Sequence, residues 1–190
     1  SHCGVFNLES MYGTTEEMLA SVAVKNHANA VHNKYAQYRK AITIDDVLGS
    51  KMVADPLKVL DCSPITDGAA AVVIMELEKA KKSGLNYVEV VASAQASDTL
   101  ALHDRASMSE VKATKIAAES AYKQAGVTPK DISMAEVHDC FTIAEIMAIE
   151  GLGFFEKGKG GQATLDGETQ IGAKIPVNTS GGLKACGHPV

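Results

Sequence analysis

A run of small and branched apolar residues, AAAVVIM at 69–75, most limits how this chain can fold. Its apolar character is continuous rather than alternating, which predicts a strand buried on both faces, as in the centre of a parallel sheet. The segment YVEVVASAQ at 87–95 predicts a second buried strand after the turn signal at Ser83 and Gly84. Helical patterns alternate with these strands, and that alternation predicts the α/β class.

Three segments carry the signals of a helix. Thr15 is followed by two acidic residues, which predicts the start of the first helix. Ser107 and Glu110 predict a capping box for the second helix, and Gly126 predicts its end. The third helix is predicted from Phe141 onwards.

Residues 132–137 predict a strand that runs directly into the third helix. His138, Asp139 and Cys140 should then lie at the carboxyl end of that strand, which is where open α/β sheets bind ligands. The glycine-rich segment at 153–174 has no periodicity, and no GKS or GKT follows it. It is therefore interpreted as a surface loop and not as a phosphate loop.

The composition excludes several classes of protein. The 190 residues carry a net charge of -5, with Lys and Arg scattered along the chain, which argues against binding to nucleic acid or an anionic membrane. No apolar stretch has the length of a membrane span, and no signal peptide is found. The chain length leaves open whether there are one or two domains.

The four cysteines, Cys3, Cys62, Cys140 and Cys186, are widely spaced and form no CxxC pair. Neither a zinc ribbon nor a dense disulfide framework is indicated, and a cytoplasmic location is the simplest expectation. Cys62 and Cys186 are interpreted as packing residues.

The most basic part of the chain is AVKNHANAVHNKYAQYRK at 23–40, which includes Lys25 and His27. A solvated helix face with its following loop explains such a charge run. The alternative is a surface that attracts a phosphorylated ligand.

Two short motifs could carry chemistry, HDCF at 138–141 and CGHP at 186–189. Cys140 is placed where a helix N-terminus would lower the pKa of its thiol. His188 is placed in a glycine-rich turn that lets an imidazole approach a ligand closely. Each residue also has a purely structural interpretation, as a small core residue and as a turn residue. A metal site built from His138, Asp139, Cys140 and His188 is disfavoured, since the usual ligand spacing is absent.

These motifs together resemble the thiolase superfamily. The resemblance is carried by GGLKACGHPV at 181–190, HDCF at 138–141, SPITDGAAAVV at 63–73, and MYGTT with VAVKNHANAVHN at 11–33. The pattern is similar to the branch that contains sterol-carrier-protein thiolases and archaeal acetoacetyl-CoA thiolases, because ordinary thiolases have NEAF in place of HDCF. It extends over essentially the whole chain.

The resemblance implies an incomplete thiolase-like layered α-β-α-β-α fold. Residues 1–60 correspond to the loop region that covers coenzyme A. Residues 61–82 correspond to the last strand of the N-terminal half with its linker, and 83–190 to a truncated C-terminal half. The CSSG-like motif of the nucleophilic cysteine is absent. The chain is therefore expected to be an internal piece of a thiolase, with unpaired strand edges and exposed apolar faces.

The resemblance also implies an activity, the Claisen-type transfer of an acyl group between coenzyme A thioesters. His188 is then the base and an oxyanion donor, Cys140 the acid/base thiol, and His138 part of the oxyanion hole. The implied substrate-binding residues are Asn178, Gly182, Gly187, Lys25 and His27. No metal and no covalently bound cofactor are implied, since the coenzyme A thioester is the substrate.

The implied partners are acyl-CoA, further copies of the chain in a dimer or larger oligomer, a zinc-ribbon/OB acyl-CoA-binding protein, and a hydroxymethylglutaryl-CoA synthase. Three other functions stay open: a thiolase-fold scaffold subunit, a retro-aldolase of the same branch, and a cysteine hydrolase built on Cys140 and His188. Retention of both residues favours thiolase chemistry, because retro-aldol cleavage does not need the pair of thiols.

Overall fold

The computed structural model describes residues 8–189, so Cys3 and the first seven residues of the predicted 1–60 region lie outside the described residues, as does Val190. Helices and two short two-stranded sheets make up the described part. The helices are α1 Glu16–Ala30, α2 Ile44–Leu48, α3 Leu77–Lys82, α4 Lys112–Ala125, α5 Thr142–Gly151, α6 Gly160–Leu165 and α7 Gly182–Cys186. The strands are β1 Met52–Ala54, β2 Leu57–Lys58, β3 Ile65–Thr66 and β4 His188–Pro189. Strands β1 and β2 pair antiparallel, whereas β3 and β4 pair in parallel.

Helix α1 begins where the sequence predicts. The Thr15 hydroxyl accepts a hydrogen bond from the Met18 amide at 3.4 Å, and the acidic residues of the first turn suit the positive end of the helix dipole. The helix packs against α2, α5, α6 and α7. Because it has neighbours on several sides, most of its residues are buried, polar ones included.

The core consists of small apolar clusters around α1 and α5. Leu19 and Val22 of α1 pack with Ile143 and Ile146 of α5. Further along α5, Ile149 packs in a second cluster with residues of the segment 155–177. Burial of each such aliphatic side chain stabilises the fold by about 1.5–3 kcal/mol. These contacts hold α5, the helix that follows HDCF, against α1.

Helix α4 ends as predicted but starts differently. Gly126 ends it in a left-handed conformation with φ +70°. The capping box predicted at Ser107 and Glu110 is wrong, because Val111 is the N-cap and makes no side-chain hydrogen bond. The Ser107 hydroxyl instead accepts a hydrogen bond from the Ser109 amide at 3.3 Å, which keeps that residue in a local turn.

The buried strands predicted at 69–75 and 87–95 are not present as strands. Both segments are unpaired among the described residues, and their apolar side chains face solvent, with Val72 82% and Val88 94% exposed. The sequence pattern indicates only that these side chains suit burial. A strand also needs a neighbouring strand with which to form backbone hydrogen bonds. The exposed apolar faces implied by the thiolase resemblance are therefore observed.

Two further predictions need correction. The strand predicted at 132–137 is reduced to a single parallel bridge between Ala135 and Val177. The segment 153–174 contains α6, and Gly160 and Ala163 in that helix are buried, so its interpretation as a surface loop is wrong. Its glycines stand where α6 packs closely on α1 and α5, as a Cβ at Gly161 would meet the Met18 sulfur at 3.1 Å.

Within residues 8–189, no helix combines the length and the apolar character that crossing a membrane requires.

Candidate functional site

The HDCF motif lies in an extended segment that leads into α5. His138 is exposed, Asp139 is fully buried and Cys140 is half-buried. The segment 61–66 runs beside it: the Ser63 amide donates to the Cys140 carbonyl at 3.0 Å, and Cys62 forms an antiparallel bridge with Phe141.

His188 reaches the same segment from the other motif. It lies on β4, where it pairs with Ile65 of β3, and its amide donates to the Pro64 carbonyl at 2.8 Å. Two consecutive residues, Ser63 and Pro64, therefore make backbone hydrogen bonds to Cys140 and to His188.

The imidazole rings of His138 and His188 are in direct contact. Their centroids are 5.0 Å apart and the rings meet edge to face at 84°. The structure thus brings the His138 and His188 rings together from motifs about fifty residues apart, and it holds the Cys140 backbone against the segment that also binds His188. Their roles in a reaction stay predictions.

The thiol of Cys140 is not activated in the way the sequence suggests. Burial raises its pKa, and this effect exceeds the opposing hydrogen bond from the Phe141 amide. The predicted lowering of the Cys140 pKa is therefore wrong, and the thiol is protonated at neutral pH. Burial, followed by the nearby His188, lowers the pKa of His138, so its imidazole is neutral at that pH.

Asp139 connects the two motifs. Its Oδ1 accepts a hydrogen bond from the Leu183 amide at 2.6 Å, and its Oδ2 accepts one from the Lys184 amide at 3.1 Å. Both amides belong to the first turn of α7, the helix that leads to His188. Burial, followed by repulsion from Glu145, raises the pKa of Asp139 to about 6. Sequence reasoning missed this role, for which the only signal was an aspartate inside a motif of chemically active residues.

Lys25 and Asn178 lie in a buried polar network and not on a substrate surface. The Lys25 ammonium donates to the Val177 carbonyl at 2.7 Å and to Asn26 Oδ1 at 2.7 Å, and it pairs with Glu145 at 2.8 Å. The Asn178 side chain accepts from the Val137 amide at 2.8 Å and donates to Glu145 at 2.7 Å. Because these donors are already used within the protein, Lys25 presents no exposed charge, and contact of Lys25 or Asn178 with substrate stays a prediction.

His27 is likewise enclosed. Its ring stacks on Tyr38 with centroids 5.6 Å apart, and its two nitrogens contact the Lys40 carbonyl and the Lys184 ammonium, each at 3.2 Å. Burial, followed by the charge of Lys184, lowers the pKa of His27 to about 4. Its imidazole is therefore neutral at pH 7 and adds no positive charge to the surface predicted around it.

The exposed cations of the basic segment lie further along the chain. Lys34, Arg39 and Lys40 are all exposed. This stretch contacts α7 directly, since the Tyr38 amide donates to the Ala185 carbonyl at 2.9 Å. A basic surface therefore does border the segment that holds His188, at 34–40 and not at Lys25 and His27.

Gly182 and Gly187 permit close approach between parts of the protein itself. Gly182 has φ +60°, and a Cβ there would meet the carboxyl carbon of Asp139 at 2.6 Å. Gly187 has φ +109°, and a Cβ there would meet Thr66 Cβ at 2.7 Å. Contact of either glycine with substrate stays a prediction.

Two surface cavities lie away from His138, Cys140 and His188, although Lys25 is among the residues that line the second. One of about 490 Å³ lies between α4 and α5, and one of about 530 Å³ lies between α1 and the segment 164–171. His138, Cys140 and His188 line neither of them. No group of three or more acidic, histidine or cysteine side chains within 8–189 could hold a metal ion.

Comparison with known proteins gives the family. The model for the "Thiolase C-terminal domain-like" family matches residues 94–190, and that for "Thiolase, N-terminal domain" matches residues 4–78. The acetyl-CoA acetyltransferase of Methanothermobacter thermautotrophicus is 55% identical over 94% of this chain and 47% of that protein. Sterol carrier protein 2 of Oryctolagus cuniculus is 38% identical over 94% of this chain and 34% of that protein. The solved structure of an Ltp2-ChsH2(DUF35) aldolase matches with a TM-score of 0.90 at 29% identity, over 97% of this chain and 50% of that chain.

The chain therefore belongs to the thiolase superfamily, with an incomplete α/β thiolase fold. Within the superfamily it is a member of the branch that includes sterol carrier protein 2 and archaeal acetyl-CoA acetyltransferases, as the motifs had suggested. The chain spans less than half the length of either relative.

Proposed function

We propose that this chain is part of a thiolase-type acyltransferase that condenses or thiolytically cleaves acyl-CoA thioesters, with acetyl-CoA and acetoacetyl-CoA as substrates. The observation that carries the proposal is the contact of the His138 and His188 rings, with centroids 5.0 Å apart, while the segment 61–66 holds both His188 and the Cys140 backbone through hydrogen bonds. Relatives named acetyl-CoA acetyltransferase support the same class of enzyme.

The protonation states at this site suit acid/base work. In thiolysis, carbon–carbon cleavage leaves a carbanion at the α-carbon of acetyl-CoA, and the protonated Cys140 thiol donates its proton to that carbon. A neutral His138 has an N–H group with which to stabilise the thioester enolate oxygen. In the condensation direction Cys140 takes the proton back as a thiolate, with His188 as the neighbouring base.

The acylated cysteine is proposed to come from outside this sequence. The four cysteines include none in a CSSG-like motif, and Cys62 is half-buried with a pKa raised by burial. A thiol of that kind makes a poor nucleophile at neutral pH. In this proposal the full-length protein has thiolase activity, whereas the 190 residues alone have none.

Coenzyme A is proposed to lie along the basic surface at 34–40. Lys34, Arg39 and Lys40 supply exposed positive charge for its phosphates, and the backbone contact of Tyr38 with Ala185 joins this surface to the helix before His188. The thioester end of the ligand would then reach His188 without crossing a buried part of the protein. No covalently bound cofactor is needed for this chemistry.

The cellular setting is proposed by analogy. The Ltp2-ChsH2(DUF35) aldolase combines a thiolase-fold protein with a DUF35 partner. We propose a cytoplasmic dimer or larger oligomer that associates with a comparable small zinc-ribbon/OB protein and with a hydroxymethylglutaryl-CoA synthase.

A retro-aldolase is the second candidate, and the similarity to the Ltp2-ChsH2(DUF35) aldolase favours it. A scaffold subunit without catalysis is the third. The presence of Cys140 beside two histidines favours the thiolase, because an aldol cleavage does not require a protonated thiol.

Replacement of Cys140 by alanine separates these functions. In the full-length protein we expect Cys140→Ala to lower kcat/KM for CoA-dependent acetoacetyl-CoA cleavage by about 10²–10⁴-fold, because general acid catalysis is lost. Cys62→Ala is the matched control, since it removes another half-buried thiol from the neighbouring segment. Turnover that persists in the Cys140 variant would reject the thiolase assignment. Aldol cleavage unaffected by it would support the aldolase, and absence of both activities in the wild type would support the scaffold.

A further inference from the structure

We propose that Asp139 is a positioning residue: its buried carboxylate holds the first turn of α7 and so sets where His188 stands relative to His138. This inference rests on the proposed function for its catalytic consequence. Its structural content, a carboxylate that determines the place of an imidazole, stands independently of the reaction.

Asp139 makes short hydrogen bonds to α7, only a few residues before the imidazole of His188. Asp139 accepts hydrogen bonds from the Leu183 and Lys184 amides at 2.6 and 3.1 Å, and His188 follows four residues after Lys184. Helix α7 has five residues, too few to be stable without external contacts. Its free N-terminal amides need acceptors, and the carboxylate supplies two of them.

Gly182 makes room for this contact. A Cβ at that position would overlap the carboxyl group of Asp139, and the backbone there has φ +60°. Glycine adopts this conformation without the strain that other residues suffer. A glycine of the GGLKACGHP motif therefore leaves the space that the aspartate of HDCF occupies. The two motifs pack together as one structural unit.

Asn26 supplies a third donor to the carboxylate. Its side-chain nitrogen donates to Asp139 at 2.7 Å and to Glu145 at 2.8 Å, while its oxygen accepts from the Lys25 ammonium at 2.7 Å. The Lys25 contact determines which way the amide points, because an ammonium can only donate. Asn26 thereby links two carboxylates that would otherwise repel each other in a buried site.

The charged groups nearest to Asp139 are buried with it. Glu145 lies beyond Asn26 and is paired with Lys25 at 2.8 Å, and the buried Lys184 contributes attraction to Asp139. Asp139 itself is inaccessible to water. A carboxylate with three N–H donors around it and no water can turn only by giving up a hydrogen bond, which makes it a rigid support.

The test is Asp139→Asn in the full-length protein, with Asp131→Asn as the control. Both oxygens of Asp139 face donors, so a carboxamide must turn its NH₂ group toward an N–H and lose at least one hydrogen bond. Asp131 is a carboxylate that caps an exposed turn at Thr128 and touches no site residue. We expect Asp139→Asn to lower kcat by about 10²-fold through misplacement of His188, with KM unchanged within about threefold and with cooperative unfolding retained. The control should leave kcat unchanged.

A spectroscopic readout separates positioning from general structural damage. NMR titration of the His138 ring should show an altered pKa in Asp139→Asn and not in Asp131→Asn, and nuclear Overhauser contacts between the His138 and His188 rings should weaken in Asp139→Asn alone, because the ring contact at 5.0 Å is lost. A folded Asp139→Asn protein with wild-type kcat, or with lower kcat but unaltered His138 titration and unaltered contacts between the two rings, would overturn the proposal.

A wild-type measurement keeps the proposal testable where the variant fails to fold. The Leu183 and Lys184 amides should exchange with solvent deuterium more slowly than the amide of the exposed Lys34, since Asp139 holds them. Unprotected exchange at both would overturn the proposal. An inactive wild type would reject the thiolase function alone, because the titration and exchange readouts do not depend on turnover.

Discussion

At the scale of single residues, this protein places ionisable groups where water cannot reach them. Asp139, Glu145, Lys25 and Lys184 are each at most 4% exposed. Such groups stay charged only when each is paired or hydrogen-bonded, as the network around Asn26 achieves for three of them. Burial raises the pKa of Asp139 and lowers the pKa of Lys184, which shows the cost of desolvating them.

Asp139 and His27 should have opposite effects on the pH dependence of stability. The folded-state pKa of Asp139 is about 6, above its ordinary 3.8, so its contribution falls as the pH rises from about 4 to about 6. The folded-state pKa of His27 is about 4, below its ordinary 6.5, so its contribution rises over the same range. Each difference corresponds to about 3 kcal/mol, and the two largely cancel.

Removing one of these two groups should reveal the pH dependence of stability that the other contributes. Relative to the wild type, we expect the free energy of unfolding of His27→Gln to fall by about 3 kcal/mol between pH 4 and 6.5, and that of Asp139→Asn to rise by about the same amount. Urea unfolding at several pH values measures both. His103→Gln is the control, because this histidine is exposed. Changes of the same sign in the two variants would contradict the assigned pKa directions.

At the scale of elements, local signals decide where helices begin and end. Thr15, Thr43 and Gly126 cap α1, α2 and α4 through groups close in sequence. The capping box predicted at Ser107 failed although the residue types were right, since Ser107 bonds within a turn before the helix. A capping residue acts only when the backbone around it already has the geometry of a helix start.

The Thr15 cap provides a test at this scale. We expect Thr15→Ala to reduce the free energy of unfolding by about 1 kcal/mol, because the Met18 amide loses its acceptor. Ser120→Ala, at an exposed position inside α4, should change it by less than about 0.5 kcal/mol. Chemical denaturation of both variants gives the comparison, and equal effects would show that the cap contributes nothing.

At the scale of the whole molecule, two apolar segments lack a neighbour within the described residues. Val72, Val73 and Ile74 are each more than 80% exposed, and Val88 is 94% exposed. Large exposed apolar surface favours association with other proteins. The matched relatives are more than twice as long as this chain, which is consistent with further segments of a thiolase covering these residues.

Charged substitutions in these segments should act differently in the two contexts. In the isolated 190-residue chain we expect Val72→Lys with Val88→Lys to reduce self-association, seen by light scattering. In the full-length protein the same pair should lower the melting temperature, since we propose that the rest of the thiolase fold covers both positions. Val53→Lys, at an exposed position on β1, is the control. A monomeric isolated chain at all concentrations would contradict this prediction.

The sequence predicted most residues of the candidate site but not the residue that links its two motifs. The motifs HDCF and CGHP pointed to His138, Cys140 and His188, and the structure brings these residues together around 63–64. The ligand role expected of Lys25 came from the charge run at 23–40, and a charge run does not show which side of a helix is covered. The sequence also did not reveal that Asp139 is the link between the motifs, because its partners are backbone amides more than forty residues away.

The sequence by itself determined the start of α1, the end of α4, the apolar segments and the family, because these depend on residue type and on spacing along the chain. Only the tertiary structure decided which polar groups are buried, whether the apolar segments find partners, and in which direction the pKa values of Cys140, Asp139 and His27 move. Those properties depend on what surrounds each group in space, since desolvation and pairing act between residues that the chain order separates.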